Sequence, residues 1–228
     1  GDPLDSGEAA VPGATAAVHR QRLTNIWTQV STRAASRGAS SLRLEPYNEP
    51  HGLQDEKDDW TQSGSWSTWY QGLIDAIRAQ APNHTILLGG SNYNNADGLT
   101  WATWTASQNV VPVVHAYPDK EFTHQGAGGG NPAAGTRFLT PSLRAHARAM
   151  IRTATEFAAL RTPGKRASIN EFSVAFASQA ERIAWVEMMR LECEAAGADW
   201  TVFTDGPLGW FKLQNTDGSW QAGMLEAL

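Results

Sequence analysis

Segments with strand periodicity and segments with helix periodicity alternate along this chain, and this alternation limits the folds open to it. Apolar residues near helical spacing predict helices over residues 15–36, 65–80, 98–107, 142–160, 178–196 and 220–228. Short apolar runs predict strands over residues 42–49, 85–88, 110–115, 166–171 and 200–203. The helical connections are long enough to return the chain for parallel pairing. The pattern therefore predicts an α/β fold with a parallel sheet, either a barrel or an open sheet.

The length of the chain favours a single domain. Its 228 residues are enough to bury one sizeable α/β core. We expect one domain over residues 1–228, with residues 1–14 as a polar arm and residues 15–228 as the folded portion. Residues 118–141 lack periodicity and are expected to form a long loop. Cys193 is the only cysteine, lies in a helical pattern and is predicted to be an inert, packed residue.

Charge and composition exclude some partners and favour others. The formal net charge of −5 and the isoelectric point near 5.7 argue against nucleic acid as the main partner. No stretch approaches the roughly 18 apolar residues of a membrane span, so no membrane partner is expected. The ten tryptophans are compatible with a polysaccharide, because sugar rings stack on flat aromatic faces, although large aromatics also fill cores.

Two glutamates end predicted strands and are the strongest chemical signal. Glu49 closes the first strand and is expected to be held extended by Pro50, since a residue before proline is pushed away from helical backbone. Glu171 closes the fourth strand. Because parallel strands end at one rim of a sheet, both carboxylates are expected there, where such folds place their chemistry. Two carboxylates on one rim suit glycoside cleavage, although a strand-end glutamate also caps loops or forms ion pairs.

The motifs around these glutamates resemble glycoside hydrolase family 5. The stretch 48–51, Asn-Glu-Pro-His, resembles the acid/base motif of the family. The stretches 89–94, 115–118 and 122–127 resemble the Gly-Gly-x-x-Trp-Asn motif, the His-x-Tyr motif and a loop of bacterial cellulase-like members. The stretch 170–172, Asn-Glu-Phe, resembles the nucleophile motif. The set occurs in order and covers residues 15–228.

The resemblance implies a role for each matching residue. Glu49 is the general acid and then the base, and Glu171 is the nucleophile. Asn48 binds the 2-hydroxyl of the sugar, Tyr117 orients Glu171, and His115 belongs to the same polar network. The remaining residues implied to bind substrate are His51, Asn92, Tyr93, Asn94, His124 and Gln125. Phe203 stands where the family has a tryptophan under the reacting sugar, and Trp210 is a candidate to compensate.

The resemblance also implies a partial barrel. The family fold is a TIM-type (β/α) barrel, and this chain matches about five of its parallel strands, the fourth to the eighth. The first three βα units are not matched, so either they precede residue 1 in a longer protein or the natural form is a five-stranded partial barrel. The second explanation would expose sheet edges and favour self-association.

The expected activity is retaining hydrolysis of β-1,4-glucan by an endoglucanase that uses both glutamates. The alternatives are an endo-β-mannanase, another β-glucanase, or a catalytically weakened sugar-binding protein. No cofactor is expected, and no metal, because His115 and His124 lack a third ligand at a telling spacing. A polymer substrate implies a secreted or periplasmic protein, although no signal peptide is visible.

Overall fold

Helices and strands alternate in the structure, a computed structural model that describes residues 16–50, 65–101, 109–128 and 130–228. The helices are α1 (Ala16–Ala35), α2 (Ser65–Gln80), the four-residue α3 (Ser91–Asn94), α4 (Lys120–Thr123), α5 (Pro141–Arg161), α6 (Gln179–Ala196) and α7 (Met224–Ala227). The strands are β1 (Arg43–Leu44), β2 (Thr85–Gly89), β3 (Val110–His115), β4 (Ser168–Glu171) and β5 (Asp199–Trp200). A 3₁₀ helix covers Ala96–Trp101. None of the described helices has the length and apolar character needed to cross a membrane.

The strands are parallel and follow one another in the order β1-β2-β3-β4-β5. In β1 and β2, Leu44 pairs with Ile86, and in β2 and β3, Leu88 pairs with Pro112. In β4 and β5, Ile169 pairs with Trp200. The predicted α/β class with five parallel strands is therefore confirmed.

The chain divides into two compact units. The first contains Gly1–Val113 and Phe157–Lys165, and the second contains Val114–Glu156 and Arg166–Leu228. The boundaries fall inside β3 and inside α5, so each of these elements contributes to both units. The expectation of a single catalytic domain stays a prediction.

The core of the first unit is formed by apolar side chains of α2 and β2. Ile77 of α2 and Ile86 of β2 are fully buried, and Leu73 and Leu88 are nearly so. Helix α1 packs on α2. Burial of a side chain of this size contributes about 1.5–3 kcal/mol, so the alternating apolar pattern of β2 fixes which of its faces points inward.

Arg78 joins the end of α2 to the start of two strands, and its removal is expected to destabilise the first unit. Its guanidinium donates to the carbonyl oxygens of Ala81, His84 and Asn109 at 3.2, 2.6 and 3.0 Å. Arg78→Met keeps the apolar stem and leaves these acceptors without their charged donor. We expect the free energy of unfolding to fall by about 2 kcal/mol in urea titration. Arg161→Met, at an exposed position, is the matched control, and an equal effect of both changes would contradict the prediction.

The second unit has its core around α6. Trp185 is fully buried and meets the ring of Phe122 edge-on at 5.4 Å. Helix α6 ends at Gly197, whose φ of 69° is left-handed, and there the Ala198 N–H donates to the carbonyl of Cys193. Cys193 is buried as predicted, and burial raises the pKa of its thiol to about 12, which keeps it protonated and unreactive.

Several predicted elements are shorter in the structure or differ in type. The first strand is limited to Arg43–Leu44 and the last to Asp199–Trp200, because the chain leaves the sheet soon after pairing begins. The helix predicted over 98–107 is a 3₁₀ helix ending at Trp101, and residues 102–108 lie outside the described residues. The loop predicted over 118–141 contains α4, whose first turn is capped by Asp119. The closing helix is α7, a single turn.

Candidate active site

Glu49 lies in a short loop of the first unit, five residues beyond the end of β1. The loop is fixed at two points: Trp27 Nε1 donates to the Pro46 carbonyl at 2.8 Å, and the Tyr93 N–H donates to the Pro50 carbonyl at 3.2 Å. The φ of Glu49 is 48°, so the expected extended backbone was wrong. A left-handed glutamate before proline is strained, and such strain persists only where surrounding contacts hold it, often at functional sites.

Strain also marks the segment that holds Pro50. Asn92, Tyr93 and Asn94 have φ values of 58°, 62° and 53°, three consecutive left-handed residues without a glycine. Each costs roughly 1–2 kcal/mol, less for asparagine. Gly89 permits the turn, since a Cβ there would lie 1.9 Å from Asn94 Oδ1. Asn94 is consequently buried, whereas the side chain of Tyr93 is 41% exposed.

Glu171 ends β4 in the second unit and is held by two side chains. The Tyr117 hydroxyl donates to Glu171 Oε1 at 2.8 Å, and His115 Nδ1 lies 3.4 Å from Oε2. The Glu171 carbonyl accepts from the Ala116 N–H at 2.8 Å, and this bond connects the C-terminal end of β4 to the residue after β3. His115 is buried, with a relative exposure of 3%, and Glu171 is half-buried. These contacts fix the orientation of the half-buried carboxylate.

An aromatic cluster supports Tyr117. The Tyr117 ring lies 5.0 Å from the His124 ring and 5.9 Å from the Phe211 ring, measured between ring centres. Phe203 meets Phe211 at 5.5 Å. Phe211 is not among the predicted site residues, although its position next to Trp210 in an aromatic pair was a signal in the sequence. Trp210 contacts Phe176 instead, with ring centres 5.9 Å apart.

Two of the predicted substrate-binding amides are buried. Gln125 Nε2 donates to the carbonyls of Phe122 and Arg137, and Gln125 Oε1 accepts from the Arg137 N–H at 3.1 Å. Its side chain therefore closes the loop between these residues. Asn94 packs over Gly89. Burial of both side chains argues against direct contact with substrate.

The predicted site residues are divided between the two units. The first unit carries Asn48, Glu49, Asn92, Tyr93 and Asn94, and the second carries His115, Tyr117, His124, Gln125, Glu171, Phe203 and Trp210. Asn48 and Asn92 are exposed, and His124 and Phe203 are half-buried. His51 lies outside the described residues. The expectation of no metal and no cofactor stays a prediction.

One glutamate ends a parallel strand and accepts from a tyrosine hydroxyl, and another lies in the loop after a parallel strand; this arrangement is typical of the barrel-type α/β hydrolases that act on sugars. The family described as Cellulase (glycosyl hydrolase family 5) matches residues 9–207. The chain belongs to glycosyl hydrolase family 5, as its motifs indicated.

The chain is similar to a named endoglucanase in sequence and to several solved structures in fold. Endoglucanase 3 of Fibrobacter succinogenes is 33% identical over 104 residues, which is 46% of this chain and 15% of that protein. Endoglucanase Cel5A of Thermotoga maritima superimposes with a TM-score of 0.80 at 22% identity, over 100% of this chain and 69% of Cel5A. Cel5A has also been solved with cellobiose and with mannotriose. The cellulose synthase subunit CcsZ of Clostridioides difficile gives a TM-score of 0.79 at 24% identity, over 93% of this chain and 68% of CcsZ.

Proposed function

We propose that this protein is a retaining glycoside hydrolase that cleaves internal β-1,4 linkages of glucan. The observation that carries the proposal is the pair of contacts to Glu171 at the end of β4. A tyrosine hydroxyl donates to one carboxylate oxygen, and a histidine nitrogen lies beside the other. Such fixed geometry is what a nucleophile needs, because its orientation toward the reacting carbon lowers the entropic cost of attack. Membership of the family supports the same chemistry.

The proposed reaction has two displacements. Glu171 attacks the anomeric carbon while Glu49 gives its proton to the leaving glycosidic oxygen, so one C–O bond forms as another breaks. A water then gives a proton to Glu49 and attacks the same carbon, which releases Glu171 and regenerates both groups. The tyrosine hydroxyl on Glu171 Oε1 and the histidine beside Oε2 would hold the carboxylate in a fixed orientation for the attack.

Residues near each glutamate are the proposed contacts with the sugar chain. Asn48, next to Glu49, is exposed and is proposed to bind the 2-hydroxyl. The exposed ring of Tyr93 and the aromatic cluster around Tyr117 offer surfaces for pyranose faces. Mannan is the close competitor, and the cellobiose and mannotriose complexes of Cel5A favour keeping it. A polymer substrate also supports a secreted or periplasmic location.

Turnover of defined substrates tests the proposal. The purified chain is incubated with an aryl β-cellobioside, with β-1,4-glucan oligosaccharides and with mannan oligosaccharides, and the first-formed anomer is followed by proton NMR. We expect hydrolysis of the cellobioside and release of the β-anomer. Oligosaccharide binding without any turnover would overturn the proposal in favour of a sugar-binding protein, and release of the α-anomer would overturn the retaining mechanism.

Tyr117→Phe is expected to lower kcat/KM on the aryl cellobioside by about 10- to 100-fold. The change removes one hydroxyl bonded to a charged group, which contributes about 1.5–3 kcal/mol, and keeps the ring in its aromatic cluster. The loss is expected in kcat more than in KM, since the hydroxyl positions the nucleophile. Thr136→Val is the control, because it removes an exposed hydroxyl of the same unit that donates to the Ala133 carbonyl and is bonded to neither Tyr117 nor Glu171. Equal losses in both variants would contradict a positioning role.

A further inference from the structure

A cavity of about 440 Å³ lies in the second unit and is separate from the side chains that hold Glu171. Its lining combines aromatic and basic residues, with no acidic side chain among them: Phe176, Arg182, Leu208, Trp210, Lys212 and Gln221. Neither the proposed nucleophile nor the proposed acid/base lines it. The cavity is therefore a candidate binding site distinct from the two glutamates.

Arg182 is the unusual member of this lining. This residue is buried, with a relative exposure of only 4%. Nη1 donates to Gln221 Oε1 at 2.8 Å, Nη2 donates to the Ala177 carbonyl at 3.2 Å, and Nε has no hydrogen-bond partner among the described residues. Both acceptors are neutral, and none of the ion pairs of the described residues includes Arg182. Burial lowers the pKa of the guanidinium, as expected for a charge without a counterion.

Other positive contributions are directed at the same cavity. Lys212 lines it and is exposed. Arg182 lies in the first turn of α6, after the cap residue Ser178, where the helix dipole is also positive. The carboxylate of Asp205 is the negative group beside this lining, but it accepts from the N–H groups of Trp210 and Phe211, and no ion pair of the described residues joins it to Arg182 or Lys212. Buried charges in proteins are normally paired, so this arrangement favours an anion supplied from outside.

The aromatic side of the cavity suits a sugar ring. Trp210 and Phe176 are 48% and 37% exposed, and their rings lie 5.9 Å apart at 45°. Phe176 has a φ of 49°, and its N–H donates to the Trp210 carbonyl, so the two residues are held together. The C–H faces of pyranoses are apolar and pack on such rings.

The cavity is also close in sequence to the support of the candidate nucleophile. Phe211 follows Trp210 and contacts the ring of Tyr117, which donates to Glu171. Trp210 thus lines the cavity, and the next residue, Phe211, belongs to the aromatic cluster.

We propose that this cavity is a subsite for an acidic sugar, a hexuronate whose carboxylate binds Arg182 and Lys212 and whose ring packs on Trp210. The inference rests on the proposed function, since it assigns an acidic substituent to the polysaccharide substrate. Carboxylate and guanidinium form charge-assisted hydrogen bonds, so the acid group supplies most of the selectivity.

The test compares two probes that differ only at C6, methyl β-glucuronide and methyl β-glucoside. Binding to the Glu171→Gln variant is followed by NMR titration, so that the readout does not depend on hydrolysis. We expect the glucuronide to bind at least about tenfold more tightly, and Lys212→Gln to remove most of this preference. Lys165→Gln, at an exposed position outside this unit, is the matched control and should retain the preference. Trp210→Ala should weaken both probes.

Arg182→Met tests the buried charge directly, and Lys212→Gln decides the question if that variant fails to fold. Equal affinities for the two probes in the parent protein would overturn the subsite, as would a preference that survives Lys212→Gln. Glucuronide preference without turnover of any glucan would leave the subsite standing and refute the proposed hydrolase. Turnover without the preference would refute only the subsite.

Discussion

Replacing Glu171 by glutamine is expected to reduce hydrolysis of an aryl β-cellobioside by at least about 10⁴-fold, the order of loss when a hydrolase nucleophile is removed. The amide keeps the shape of the side chain and remains within reach of Tyr117, but it cannot displace the leaving group. The decisive measurement is kcat under saturating substrate, because binding of the sugar should persist. Unfolding by heat should occur near the parental temperature.

Glu121→Gln is the matched control for this prediction. Glu121 is an exposed acid of the same unit, whose only described ion pair is with Arg137, and its loss should leave kcat unchanged. A Glu171→Gln enzyme with a tenth or more of the parental rate would refute the nucleophile assignment. A second check uses Glu171→Ala with azide: the small nucleophile should occupy the vacated space and yield a glycosyl azide of inverted configuration.

Glu49→Ala is expected to lose activity in proportion to the need for a proton. On cello-oligosaccharides, whose leaving alkoxide must be protonated, we expect a loss of about 10²- to 10⁴-fold. On 2,4-dinitrophenyl β-cellobioside, whose leaving group departs as a stable anion, the first displacement should proceed at a rate near the parental one. Hydrolysis of the glycosyl-enzyme would then be slow, because no base accepts the proton of the attacking water, so a burst of dinitrophenolate followed by a slow steady rate is the expected trace.

Asp75→Asn provides the control for Glu49→Ala. Asp75 is an exposed acid of the same unit that accepts a hydrogen bond from Gln71, and its change should affect neither substrate. Equal losses on the activated and the natural substrate would contradict the role of Glu49 as acid. The alanine variant also relieves no backbone strain, since alanine at a φ of 48° is as unfavourable as glutamate.

The backbone strain at Glu49 is accompanied by strain in the segment that contacts its neighbour Pro50. The left-handed turn at Asn92–Asn94 presents the Tyr93 N–H to the Pro50 carbonyl, and that bond fixes the residue next to Glu49. Both segments are strained, and the packing of the helices and strands of the unit must offset the free-energy cost of this strain. The arrangement leaves little freedom at the backbone of Glu49.

The sequence by itself determined the α/β class, the order of elements and the family, because these depend on local properties. Apolar spacing along α2 and β2 reflects which side chains can be buried on one face, and this is readable over a few residues. The same holds for Glu171 at the end of its strand. The Asn-Glu-Pro-His motif likewise predicts Glu49 as a site residue without any knowledge of its conformation.

Only the tertiary structure decided the backbone of Glu49, the burial of Gln125 and the setting of Arg182. Proline after Glu49 predicts an extended backbone at Glu49. The observed backbone is left-handed, and the Pro50 carbonyl beside it accepts a hydrogen bond from Tyr93, more than 40 positions along the chain. Arg182 reads as an ordinary polar residue of an amphipathic helix, and its partner Gln221 lies 39 positions away. Contacts between distant residues carry no local signature, so the chemistry they create becomes visible only once the chain is folded.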